Sequence, residues 1–95
     1  MTTELVHDAD AHRYELRTGE EVLGFIDYRL SRDHVTLVHT EVDPAHSGQG
    51  HASTLVRGAL DDAREQGLRV VPACPYVASY IDKHPEYADL VAARG

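Results

Sequence analysis

One thiol, one carboxylate beside an imidazole, and one glycine-bearing turn are the features of this 95-residue chain best suited to chemistry. The turn lies within Val42-Asp43-Pro44-Ala45-His46-Ser47-Gly48-Gln49-Gly50-His51-Ala52. A tight turn that feeds a helix gathers unpaired backbone N–H groups around one point, and the helix dipole adds roughly half a positive charge there. Such a turn accepts an anion, above all a phosphate. It is not a P-loop, because no Gly-Lys-Ser/Thr follows, and it lacks the third glycine and later acidic residue of the dinucleotide fingerprint. Read alone, it also fits a turn whose Gly48 and Gly50 only relieve backbone strain. Cys74 is the only thiol and precedes Pro75, a residue suited to the first position of a helix. It fits either a small buried core position or a nucleophile whose thiolate the helix dipole favours. Glu41 and His39 sit two apart near the end of a strand, on one face, with Thr40 on the other. Either could take a proton from an ammonium group; equally, Glu41 could be a solvated strand-end charge and His39 a hydrogen-bonded core residue.

Those groups need elements to hold them. Glu4–Asp8 and His12–Arg17 read as short strands around an Asp-Ala-Asp turn, and Thr18-Gly19-Glu20 makes a second turn. Glu21–Leu30 is a longer strand, and Ser31-Arg32-Asp33 turns into the strand His34–Val42. Turns this short predict antiparallel neighbours. Ala52, Leu55, Val56, Ala59, Leu60 and Ala63 recur at helical spacing, predicting a helix from about Gly50 to Gln66 that stops at Gly67. Leu68–Cys74 reads as a strand that completes a β-α-β crossover and lies parallel to its partner. A second helix is expected over Tyr76–Lys83, broken by His84-Pro85, with a final turn or short helix over Glu86–Ala93. The fold class is therefore α/β (α+β): a mixed, mostly antiparallel sheet of about five strands with a crossover and a second C-terminal helix. The ligand crevice is expected at the carboxyl ends of the central strands. There Glu41 or His39, the 47–52 turn and Cys74 would face one region.

Composition narrows the function. The length predicts one domain over 1–95. A formal charge of −7 with nine basic residues argues against a nucleic-acid partner and tolerates a cationic small molecule or basic polypeptide. Any phosphate would rely on backbone N–H groups more than on side-chain charge. No run approaches membrane-span length, the first four residues lack signal-peptide character, and a lone cysteine suits a reducing compartment, so a cytoplasmic location is expected. His34 and His39, five apart, are predicted on opposite strand faces, and no Cys/His pair has zinc-finger spacing, so no metal site is expected. No Gly-x-Ser-x-Gly elbow is present.

Taken together, Ser47-Gly48-Gln49-Gly50-His51-Ala52, Pro72-Ala73-Cys74-Pro75-Tyr76-Val77 and His84-Pro85-Glu86-Tyr87 resemble the GNAT superfamily of N-acetyltransferases, particularly its short single-domain members. The pyrophosphate loop of that superfamily usually reads Gln/Arg-x-x-Gly-x-Gly/Ala; Gly50 and Ala52 match, and Ser47 replaces the Gln or Arg. The resemblance runs from about residue 20 onward. It implies acetyl-CoA as co-substrate, held by Val42, Ser47, Gly48, Gln49, Gly50, His51, Ala52, Ser53 and Tyr76, and acetyl transfer to an amine. It also implies that Tyr80 protonates the departing CoA thiolate, with an amphipathic packing role as the alternative. Cys74 would carry or steer the acyl group, and Glu41 or His39 would serve as the base. Family members of ordinary length have helices between their first two strands; this chain has no room for them, so its acceptor side is expected to be open or completed by a partner. The expected state is a monomer or weak homodimer. The alternative is a non-catalytic acyl-CoA-binding or protein-interaction module.

Overall fold

Four strands follow one another with short connections. β1 (Glu4–Asp8), β2 (Arg13–Thr18), β3 (Glu21–Leu30) and β4 (His34–Val42) pair antiparallel in chain order. The computed structural model describes residues 3–43 and 50–91. β2 begins at Arg13, because His12 takes a left-handed φ of 53° and belongs to the turn, where Asp8 Oδ1 also accepts the Ala11 N–H at 3.1 Å. Helix α1 (His51–Gln66) then crosses to β5 (Arg69–Pro72), which lies parallel to β4 in a sheet of order β1-β2-β3-β4-β5. Helix α2 (Pro75–Lys83) and a 3₁₀ turn (Pro85–Leu90) complete the order. This is the mixed, mostly antiparallel five-stranded sheet that the sequence predicts.

The ends of these elements have local causes. Gly67 sits left-handed at φ 74°, its N–H bonds Arg64 O, and the Leu68 N–H bonds Ala63 O. This pair of bonds is a Schellman stop, and it takes Leu68 out of the expected strand. At the other end of β5, Pro72 has no N–H to continue a ladder, and Ala73 N–H folds back onto Val71 O at 3.0 Å. The strand is therefore four residues, not the seven from Leu68 to Cys74. The last segment is a 3₁₀ turn ending at Leu90, after which Val91 bridges to Val70; Ala92 and Ala93 lie outside the described residues.

The helix-facing side of the sheet carries Tyr14, Leu16, Ile26, Val35, Leu37 and Val70, which pack on Leu55, Val56, Ala59, Leu60 and Ala63 of α1. Complete burial of each such Leu, Ile or Val is worth about 1.5–3 kcal/mol against leaving it in water. Gly24 lets the layers meet: a Cβ there would stand 2.8 Å from Glu41 O and 3.0 Å from Leu55 Cδ1.

Two irregularities decide which side chains face out. Leu16 and Arg17 pair with Gly24 and Val22, leaving Leu23 as an extra residue. Asp27 and Tyr28 pair with His39 and Leu37, leaving Val38 as an extra residue of β4. Alternation therefore restarts at Val38. Val35 and Leu37 point inward before it and Thr40 and Val42 after it, so His34, Thr36, His39 and Glu41 share the outward face. His34 and His39 thus lie on the same face, contrary to strict alternation over five residues.

Candidate functional site

β4 and β5 part company after Leu37 and Pro72, their last paired residues. Cys74 N–H donates to Leu37 O at 2.9 Å and closes the fork. From Val38 to Val42 the side of β4 that faced β5 carries no strand among the described residues. A backbone edge that no described strand covers is thus offered between the starts of two helices, with the Thr40 backbone hydrogen-bonded to Cys74.

The first is α1. Gly50 at its N-cap has φ 78°, a left-handed conformation that calls for glycine, and a Cβ there would meet nothing within 4 Å. The first turn has no acidic residue, Gly50 itself offers no side chain as a cap, and Thr54 N–H makes a helical bond to Gly50 O at 3.1 Å. The N–H groups of a first helical turn have no carbonyl partner inside the helix. His51, Ala52 and Ser53 supply this turn, half-buried, while Val42 at the strand end packs against the core. Ser53 Oγ and Tyr76 Oη are 3.2 Å apart, joining the first turns of α1 and α2. Ser47, Gly48 and Gln49 lie outside the described residues.

The second helix starts at Cys74, which is its N-cap, buried at 6% exposure. Its Sγ donates to Thr40 Oγ1 at 3.4 Å. Burial pushes the thiol up, yet the Thr40 hydroxyl and the backbone N–H groups of Val77 and Tyr76 outweigh it and hold the thiol below its usual range. Further along α2, Tyr80 stacks on His84 with centroids 4.1 Å apart. It opens on a groove of about 100 Å³ lined by Ser53, Tyr76, Ser79, Tyr80, Lys83 and His84. Burial pushes the Tyr80 phenol up; Arg57 pulls the other way, and Glu86 and Asp61 add to the rise. The phenol therefore keeps its proton at neutral pH.

His39 and Glu41 stand on the other side of the sheet. Their Nε2 and Oε2 atoms are 3.4 Å apart, and both side chains are more than half exposed. Next to Glu41 opens a cleft of about 180 Å³, lined by Val22, Leu23, Gly24, Phe25, Glu41 and Asp43. The expected convergence on one region takes a different form: His39 pairs with Glu41, Ser53 pairs with Tyr76, and β4 itself stands between the first pair and Cys74. Sequence reasoning missed Thr40 as the partner of Cys74; the only signal was its place on the alternate face of the strand.

Residues 13–90 match the model of the family described as GCN5-related N-acetyl-transferase. The chain belongs to this family. It is 39% identical over 82 residues to Protein NATD1 of Mus musculus, covering 83% of this chain and 74% of the mouse protein. The Xenopus tropicalis protein of the same name is 28% identical over 82 residues, covering 83% of this chain and 74% of the frog protein. In fold it is similar to a GCN5-like protein of Staphylococcus aureus, with a TM-score of 0.74 at 22% identity, covering 97% of this chain and 90% of that one. It is also similar to a ribosomal-protein-alanine N-acetyltransferase of Brucella melitensis, with a TM-score of 0.58 at 22% identity over 87% of this chain and 62% of that one. No helix among the described residues is long and apolar enough to cross a membrane.

Proposed function

We propose that this chain, acting as one domain over 1–95, is an N-acetyltransferase that moves an acetyl group from acetyl-CoA to an amine. The observation that carries the reading is the fork of β4 and β5 at Leu37 and Pro72, flanked by the start of α1 with Gly50 as its N-cap. Acetyl-CoA supplies the acetyl thioester. The start of α1, with Gly50, His51, Ala52 and Ser53, suits its pyrophosphate, as would the neighbouring Ser47, Gly48 and Gln49. The open edge of β4 from Val38 to Val42 suits an amide-bearing arm, and Tyr76 walls the groove between the first turn of α1 and α2.

Chemistry then divides between the two sides of β4. On the exposed side, His39, paired with Glu41, takes the proton of the ammonium acceptor directly or through water, and the freed amine attacks the thioester carbonyl. A backbone N–H of the open edge donates to the oxygen that gains charge. As the carbon–sulfur bond breaks, Tyr80 on the helix side gives its proton to the departing thiolate. Cys74 is turned toward Thr40 and buried, which favours direct attack by the amine over an acyl-cysteine route. The acceptor is a small amine or the amine of a basic polypeptide, consistent with the acidic charge and with Glu41 and Asp43 at the cleft.

The deciding experiment incubates the protein with acetyl-CoA and a panel of amines and measures free CoA thiol with an acetylated product by mass spectrometry. Amine-dependent release is expected. Binding of acetyl-CoA without release from any amine would make the chain an acyl-CoA-binding module, and no binding would sink both readings.

A further inference from the structure

Two rows of side chains cross the outward face of β2, β3 and β4. In the first, Arg13 stands opposite Asp27 and Asp27 opposite His39; in the second, Glu15 stands opposite Phe25 and Phe25 opposite Glu41. Asp27 therefore has a guanidinium on one side and an imidazole on the other. Its carboxylate goes to the guanidinium, with Arg13 Nε donating to Oδ1 at 2.8 Å. The same guanidinium lies 4.0 Å over the centre of the Phe25 ring, and that ring packs against His39 with centroids 6.1 Å apart at 52°. His39 is left with Glu41 as its carboxylate neighbour at 3.4 Å.

We propose that Arg13 is a positioning residue for His39: it holds the Asp27 carboxylate away from the imidazole and clamps the Phe25 ring against which the imidazole rests. The proposal rests on the reading of His39 as the base. Directly opposed residues of antiparallel strands have Cβ atoms about 4.5–5.5 Å apart, so a released Asp27 reaches His39. A carboxylate beside an imidazole favours the imidazolium, which has no lone pair with which to take a proton. Other charges facing His39 are few among the described residues. Glu41 is on its own strand, and Arg29 lies two residues along β3 from Asp27. Glu15 on β2 is engaged by Arg17 Nε at 2.9 Å. β5 carries no charge from Val70 to Pro72.

The test titrates the His39 ring by two-dimensional NMR in the full chain, with its signals assigned by their loss in His39→Gln. In Arg13→Met the midpoint should rise by about half a pH unit or more, because Asp27 is released toward the imidazole. Arg13→Met combined with Asp27→Asn should return it to the parent value, and so should Arg13→Lys, which keeps the charge on Asp27. An unmoved midpoint in Arg13→Met, or one that Asp27→Asn does not restore, overturns the proposal. The acid limb of the pH–rate profile for acetyl transfer should move with the ring. A ring that shifts while the rate profile stays fixed keeps the Arg13 contact as described and removes His39 as the base.

Discussion

Cys74 shows how a residue legible in the sequence still depends on one that is not. Cys-Pro marks a helix start, so the thiol at the N-cap of α2 could be read directly from the chain. Its partner Thr40 is 34 positions away and comes into contact only because β5 ends at Pro72 and the chain turns beside β4. With direct attack, Cys74→Ala should keep acetyl transfer and CoA affinity within a few-fold, measured by thiol release and calorimetry. Equal loss of turnover in Cys74→Ala and Cys74→Ser, with binding intact, would restore the covalent route. Gly24 makes a second prediction at this scale. A methyl group there meets the Glu41 backbone oxygen at 2.8 Å, and that atom belongs to a strand that cannot step aside. Gly24→Ala should cost about 1–3 kcal/mol of stability, as overpacking does, read from a denaturant titration. An unchanged midpoint would show that β4 yields more easily than a paired strand should.

At the scale of elements, β3 and β4 span the residues that β-branched runs and turn signals mark, and α1 runs from the residue after Gly50 to the residue before Gly67. Local physics determines those limits, which is why they could be read. Register was not legible: nothing in Val35-Thr36-Leu37-Val38-His39 announces that Val38 is left unpaired, because a bulge depends on how β3 meets β4. The start of α1 carries its own prediction. Gly50 holds φ 78°, where a β-branched residue is strained whatever the space around it. Gly50→Val should weaken CoA binding at least tenfold, about 1.4 kcal/mol, with the fold retained by circular dichroism. Normal binding in a folded variant would move the phosphate site away from α1.

For the molecule as a whole, the late segment is tied down by polar contacts that the sequence could not reveal, because they join residues far apart. Arg64 reaches Asp89 and the Glu86 carbonyl, Arg69 reaches the Asp89 carbonyl, and Tyr87 donates to Asp61 Oδ1 at 2.7 Å. Burial, then the Asp61 hydrogen bond, push the Tyr87 phenol up to about 12. A phenol raised on folding adds stability that is fully present below its unfolded value near 10 and is lost as pH climbs through the folded value. Stability should therefore decline between about pH 10 and pH 12, and Tyr87→Phe should flatten that decline in pH-dependent urea melts. A variant with the parent's slope would assign the loss to other groups. Ligand acts on the whole molecule too: CoA or acetyl-CoA should raise Tm, by mass action on the folded state. No rise at millimolar ligand would remove the nucleotide site altogether.

The extra residue at Val38 has a consequence for how such a chain can change over time. Everything from His39 to Val42 owes its facing to one unpaired position, so a one-codon deletion there would act as an inversion. Thr40 and Val42 would turn to water, while His39 and Glu41 would turn under α1, where a carboxylate without a partner is costly. Losses and gains at this point are tolerable only in pairs. The parity of β4, more than the identity of any residue in it, is what descent must preserve.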